Sequence, residues 1–402
     1  MRTPTRTLAL SEFVIMLAMM ISIVALATDM MLPALGTIGS ELGVDDVNDV
    51  QLIVSSLFLG FALGQALAGP LSDSFGRKPI IYVGYTVFVI GCLLSLFSTS
   101  WEAMIIGRVL QGLGAASPRI VTLALVRDGY EGREMARIMS FVMAVFVLVP
   151  TIAPALGQVV IYLSGWRATF TVLIVMALAA AAWFGLRQPE TLPKPQRRPF
   201  SAVAIWRGLK EIARNRSAVG NTLALGLIFG AFLAYLSTAQ QIYEVVYDAG
   251  ALFPIYFGAA ALSIGGAAVV NSLLVMRLGM RLLTRMALLG LIAMAALFAI
   301  PAFATGGTPP VALFLAYLIG SFFCIGILFG NLNAIAMEPL GHMAGLGAAL
   351  IGSVSNFVAL PISYYIGHHF NGTVLPIVIG FGTVGVGALV LTWWADRAPA
   401  QR

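Results

Sequence analysis

Charged side chains are scarce in this chain. Asp, Glu, Lys and Arg make up 10% of its 402 residues, where a soluble domain carries about 25%. With 59% hydrophobic residues and a mean hydropathy of +0.95, the chain holds more apolar surface than an aqueous fold can hide, so lipid is its expected solvent. Cysteine is nearly absent. Cys92 and Cys324 both fall in apolar runs, which excludes a disulfide scaffold and suggests no metal site. The three histidines, His342, His368 and His369, lie at the ends of apolar runs without metal-ligand spacing. No G-x-x-x-x-G-K-[ST] segment supports an ATP-driven pump. No G-x-S-x-G stretch, His cluster or acidic metal motif supports a membrane enzyme. No enzymatic activity and no cofactor are expected.

What the chain has is long apolar runs. A spanning helix needs roughly 20 mostly apolar residues. Such runs fall at about 10–30, 50–72, 79–98, 101–126, 137–162 and 167–186, then at 218–240, 251–276, 281–301, 309–337, 343–366 and 372–394. They are continuous rather than alternating, which excludes a β-barrel. The 42 glycines and 19 prolines suit helices that pack closely and kink. The first run is too long for a signal peptide and lacks a small-residue cleavage site, so a retained helix is expected. The fold class is therefore an all-α membrane protein of twelve transmembrane helices. Residues 1–186 form an N-terminal six-helix unit, 187–217 a cytoplasmic linker and 218–402 a C-terminal six-helix unit. Within the linker, Val203, Ile205, Trp206, Leu209 and Ile212 have helical spacing. Either a short amphipathic helix on the membrane or a solvated tether accounts for them.

The charges set an orientation. With the N-terminus inside, 20 of the 23 basic residues face the cytoplasm, among them Arg2, Arg6, Arg77, Lys78, Arg127, Arg133 and the linker cluster. The remaining three are Arg108 and Arg119 within the fourth run, and Arg167 at an outer end. The outer loops lean acidic, with Glu41, Asp45, Asp46, Asp49, Glu244 and Asp248. Both termini are expected in the cytoplasm. The formal charge of +6 then faces an anionic lipid leaflet, and no nucleic-acid partner is indicated.

The halves echo each other. "SDSFGRKP" follows the second run and "VMRLGMRLL" the eighth. Asp128 and Glu338 come just after the fourth and tenth runs, at corresponding places. Duplicated six-span halves are a transporter architecture.

The stretch Gly69-Pro-Leu-Ser-Asp73-Ser-Phe-Gly76-Arg77-Lys78 resembles the loop 2–3 signature of the major facilitator superfamily, and the resemblance covers nearly the whole chain. "ATDMMLPAL" (27–35), "GRVLQGLGAA" (107–116), "RIMSF" (137–141) and "NLNAIAMEPLGHMAG" (331–345) resemble its bicyclomycin/chloramphenicol-resistance type drug:proton antiporters, the Bcr/CflA group. The antiporter signature of the fifth span, Gly-x-x-x-Gly-Pro-x-x-Gly-Gly, is only partly matched. Pro150 lies within the stretch, Val149 and Ala153 replace two glycines, Pro154 and Gly157 are kept, and Gln158 replaces the last glycine.

The resemblance implies two six-helix bundles around a central cavity. It also implies that the 2–3 loop, with Gly69, Asp73, Gly76, Arg77, Lys78 and nearby Asp128, latches the halves at the cytoplasmic seam; a plain topology anchor is the alternative. Asp73 and Arg77 are four apart and can pair. Arg108 lies about 10 Å below the outer end of its span, where an uncompensated charge is costly, and Asp29 lies at similar depth. A pairing of the two is expected, with Asp29 as a proton-sensitive acid, or only a helix cap. Gln111 is one turn on. Arg119 lies nearly three turns from Arg108 on the same face, with Glu12 a candidate partner. Glu338 is a second titrating group, a gate ion pair or a solvated cap.

The expected activity is proton-coupled multidrug efflux by alternating access across a bacterial inner membrane. The gradient serves as the energy source, small amphiphilic molecules and protons as ligands, and lipid as the surroundings of a monomer. The alternative is a dedicated transporter, exporting or importing one small metabolite such as an amino acid or peptide derivative.

Overall fold

The structure, a computed structural model, describes residues 9–397, with the side chains at 133, 136, 143, 144, 146 and 147 excepted. Arg2, Arg6 and Arg402, three of the orientation-setting charges, lie outside the described residues, as does the Arg133 side chain. Among the described residues there are only helices and their connections. A backbone in lipid finds no water to bond, so each apolar run closes its hydrogen bonds within itself.

Twelve helices of 20–33 residues result. In chain order the α-helices are α1 (Leu10–Asp29), α2 (Leu35–Glu41), α3 (Leu52–Phe75), α4 (Arg77–Leu96), α5 (Trp101–Gly129), α6 (Gly132–Ser164) and α7 (Arg167–Arg187). Then come α8 (Ala202–Arg214), α9 (Arg216–Gln241), α10 (Phe253–Leu278), α11 (Met280–Ala304), α12 (Val311–Met337), α13 (Ala344–His368) and α14 (Leu375–Asp396). All but α2 and α8 are of membrane-crossing length. A six-residue 3-10 turn, Glu338–Met343, is all that separates α12 from α13.

Packing sorts the long helices into two sets. In the first, α5 lies against α1, α3 and α4, and α1 against α6 and α7. In the second, α9 lies against α12, α13 and α14, and α11 against α12 and α14. The sets meet mainly along α3 with α13 and α6 with α10. Exchanging the two sets turns one of these contacts into the other, so the halves are related by an approximate two-fold. The α3–α5 crossing is close because Gly60 and Gly112 each sit on the opposite backbone, leaving no room for a Cβ.

The segment between α7 and α9 holds α8. Ser201 caps it, accepting from Ala204 N at 3.1 Å. Gly208 and Ile212 face inward against α13, while Val203 and Trp206 are exposed.

Candidate functional site

Arg108 is the most deeply buried charge with a described set of partners. It sits on the inner face of α5 at 0% exposure. Its Nε donates to the carbonyl of Ile53 at 2.9 Å, and its Nη1 to the carbonyl of Ala27 at 2.9 Å and to Gln111 Oε1 at 2.7 Å. Gln111, one turn on, donates to Ser95 Oγ at 2.9 Å and Gly91 O at 3.2 Å. One guanidinium thus ties α5 to α1, α3 and, through Gln111, α4. Ala27 lies in the last turn of α1, where carbonyls carry the negative end of the helix dipole, which favours a cation.

Asp29 ends α1, two residues further, and is 3% exposed. Asp29 and Arg108 form no ion pair among the described residues. Asp29 Oδ1 and Arg108 Nη2 are both sealed from solvent without a hydrogen-bond partner. The expected pairing is therefore corrected. The cation is held by two main-chain oxygens and by Gln111, and the acid lies at the unfavourable end of its own helix.

Among the described residues the pairing of Arg119 with Glu12 does not form either. Glu12 takes two bonds from Arg187, at 2.7 and 2.8 Å, and one from Trp183 Nε1 at 3.2 Å. Arg119 places its guanidinium 5.4 Å above the ring of Phe61.

The turn at Gly76 organises a second cluster. Gly76 has φ 101° and caps α3, so α4 begins at once with Arg77. Arg77 is 3% exposed. It pairs with Asp73 at 2.5 Å and Asp128 at 2.9 Å and donates to Ser72 Oγ at 2.8 Å. Its backbone N–H and that of Lys78 donate to the two oxygens of Glu190, at 2.9 and 3.0 Å. Asp128 also accepts from Thr191, and Lys78 Nζ donates to the carbonyl of Gly185 at 3.0 Å. These partners lie in the first helix set or, for Glu190 and Thr191, in the segment just after α7, so the charge pairs of Arg77 do not bridge the seam. The neighbouring Arg127 does approach the second set: a Cβ on Gly345, in the first turn of α13, would lie 3.2 Å from its Nη1. Gly69 also faces α13, at Ala349.

The second set carries a counterpart. Arg281, at the start of α11, pairs with Glu338 at 3.2 Å and Asp396 at 2.9 Å, and Arg285 reaches Asp396 at 3.6 Å. Glu338 matches Asp128, and Asp396, the last residue of α14, takes the place that Glu190, three residues past the end of α7, has in the first set. Here the side chains of Arg281 and Glu338 are nearly half exposed.

In α6, Pro150 and Pro154 lie inside the helix and each remove a backbone donor. Gly157 packs directly on the backbone of Met30, beside Asp29. Gly157 is thus packed against the residue that follows the acid.

Contacts across the seam run its whole length. At one end Asn48 Nδ2 donates to the carbonyls of His368 and Phe370, both at 3.1 Å, and Gln241 Nε2 to the carbonyl of Val47 at 2.8 Å. At mid-depth Asn356 Nδ2 donates to Gln65 Oε1 at 2.9 Å and Ser353 Oγ to the carbonyl of Ala62 at 2.8 Å. Phe58 of α3 meets Phe229 of α9 edge-on at 5.4 Å, and Phe229 continues into Phe232 and Phe329. Gln65 and Asn356 were visible in the sequence as polar groups in apolar runs. The opposed phenylalanines were not, because nothing marks a ring at the seam from one facing lipid.

Twelve membrane-length helices in two sets exchanged by a two-fold, with an arginine and a carboxylate buried among the spans, are the architecture of a secondary transporter. The sequence model of the Major Facilitator Superfamily matches residues 8–363, and the chain belongs to that superfamily. It is a transporter, not an enzyme. It is 28% identical over 380 residues to the Uncharacterized MFS-type transporter YdgK of Bacillus subtilis, covering 93% of each chain. It is 28% identical over 376 residues to the Bicyclomycin resistance protein homolog of Haemophilus influenzae, covering 92% of each. Multidrug resistance protein MdtM of Salmonella typhimurium is 28% identical over 257 residues, which is 63% of this chain and 60% of that protein. These relatives are consistent with the bicyclomycin/chloramphenicol-resistance type. In fold, the chain resembles the partially occluded inward-open xylose transporter XylE from E. coli, with a TM-score of 0.74 at 14% identity over 97% of this chain and 98% of that one.

Proposed function

We propose that the protein exports small amphiphilic molecules across a bacterial inner membrane in exchange for protons, by rocking its two helix sets about the α3–α13 and α6–α10 contacts. Residues 187–217 join the sets on the cytoplasmic side, where both termini also lie. The carrying observation is the pair of unsatisfied groups at the end of α1, Asp29 Oδ1 and Arg108 Nη2. When Asp29 is charged, the free Nη2 and the carboxylate attract each other. Protonation removes that attraction and leaves Arg108 on the Ala27 and Ile53 carbonyls. A proton and a substrate that prefer opposite arrangements are then linked through one equilibrium.

The names of the relatives, bicyclomycin resistance and multidrug resistance, support drugs as the substrate class. So does the aromatic seam of Phe58, Phe229, Phe232 and Phe329, which can re-pack around unlike molecules. Protons are an adequate energy source. Each charge moving inward across about 100 mV yields about 2.3 kcal/mol, enough for roughly 40-fold accumulation.

The test uses the full chain in proteoliposomes with an imposed pH gradient, together with drug susceptibility of an efflux-deleted host. Reduced susceptibility to two or more unrelated amphiphilic compounds is expected, with concentrative transport abolished when the gradient collapses. Protection against none of them, with saturable transport of a single metabolite, would replace this reading by a dedicated transporter.

A further inference from the structure

The seam is closed at one end by a short 3-10 turn, Val47–Gln51, which leads into α3. Asp46 starts the turn by accepting the N–H of Asn48 at 2.8 Å. The Asn48 amide in turn grips the carbonyls of His368 and Phe370, at the end of α13 in the other helix set. This grip fixes the next residue, Asp49, against the imidazole of His368. Asp49 Oδ1 and His368 Nδ1 lie 3.7 Å apart. Both atoms are sealed from solvent and neither has a hydrogen-bond partner, although both side chains are about one third exposed, at 35% and 38%.

A neutral imidazole with its lone pair on Nδ1 offers the carboxylate nothing at this distance. A protonated one offers a charge and a donor. Histidine is the side chain whose ordinary titration falls between pH 5 and 8. The other groups around His368 leave this role to Asp49. From the same turn, Asp46 is engaged by Asn48 N. From α13 and its end, Tyr364 is stacked on the His368 ring at 5.2 Å and His369 stands edge-on at 6.2 Å. The His369 Nδ1 is already 2.7 Å from the carbonyl of Tyr365. Glu244, just past the end of α9, is held by Gln240.

We propose that His368 and Asp49 form a proton-binding site that straddles the seam, separate from Asp29, and that its occupation holds this end of the transporter closed. The site rests on the reading that the two helix sets part at the seam. A proton taken up from the medium at this end adds an ion pair between α13 and the turn before α3. The arrangement with the two ends apart gains nothing from the same proton, because the partner is then out of reach. Low pH on that side therefore favours closure.

The experiment measures spin-label distances between Ser40 and Thr305, exposed positions of the two sets, in full-length protein carrying Cys92→Ser and Cys324→Ser. The ratio of short to long distances is expected to rise about threefold from pH 8 to pH 5. His368→Gln and Asp49→Asn should each flatten that profile. His368→Lys, with a fixed cation, should keep the short distance at every pH. A profile that persists in both His368→Gln and Asp49→Asn, or is flat in the parent, would overturn the site. A profile lost in Asp29→Asn but kept in His368→Gln would also overturn it, while leaving Asp29 as the coupling acid.

Discussion

Arg108 donates to the carbonyl of Ala27 at 2.9 Å, yet leaves the carboxylate two residues further along the same helix unpaired. A guanidinium held at Nε and Nη1, with a buried Nη2 left over, is satisfied only partly, in hydrogen bonding and in charge alike. That imbalance makes the end of α1 the place where adding or removing one proton changes the interaction most.

The first prediction follows from this imbalance. Asp29→Asn should retain downhill exchange of substrate and lose gradient-driven accumulation. Arg108→Lys should lower transport by more than about tenfold, because an ammonium cannot reach Ala27, Ile53 and Gln111 together from one planar fork. Initial rates in proteoliposomes, with and without a pH gradient, separate the two effects. Native accumulation by Asp29→Asn would remove that residue from coupling.

The two charge clusters at the ends of α4 and α11 should differ in weight despite their matching positions. Arg77 is buried and serves two acids. Arg77→Ala leaves the largely buried Asp128 without its cation and should cost about 3 kcal/mol. Arg281 is half exposed, so Arg281→Ala should cost less than about 1 kcal/mol. Thermal unfolding of the purified variants in one detergent gives the ranking. Equal losses would mean that the clusters are interchangeable.

A third prediction concerns the opposed rings. Phe58 and Phe229 are the described rings that meet across the seam. Phe58→Ala and Phe229→Ala should each raise the half-saturating concentration of flat aromatic substrates by about threefold to tenfold, the worth of one aromatic contact. Aliphatic substrates should be affected less. Competition against one labelled substrate measures both. A uniform loss for all compounds would point to a packing role instead.

Much of the fold was legible because lipid imposes a local rule: a span must be apolar over its whole length, so twelve helices can be counted along the chain. The site was legible only in part. Gln111 one turn from Arg108 is a matter of helical spacing, and the two do bond. The partner of Glu12 was not, because Arg187 is 175 positions away and the contact depends on α7 lying beside α1. Glu190 escaped notice for the same reason, at 113 positions from Arg77. The main-chain partners of Arg108 could not be read at all, since a carbonyl of Ala27 or Ile53 is the same in every residue type.

The fourth prediction tests whether the mid-depth amides set the resting arrangement. Asn356 Nδ2 donates to Gln65 Oε1 at 2.9 Å, and the two residues are 7% and 6% exposed. Their bond is one of two described side-chain bonds joining α3 to α13 at that depth, the other being Ser353 to Ala62. Replacing one partner leaves the other without this bond in an apolar seam, the Asn356 amide keeping only its 2.7 Å bond to the Gly352 carbonyl, which costs about 1–3 kcal/mol in this arrangement. It costs less in any arrangement where water reaches the seam. Asn356→Leu alone and Gln65→Leu alone should therefore shift the helix sets toward separation, by about fivefold or more in the population ratio. The double variant removes both polar groups and should recover most of that shift. The same spin-label pair, Ser40 and Thr305, reports the populations at fixed pH. Additive shifts in the double variant would show that the amides act separately, each through its own neighbours, and not through the bond between them.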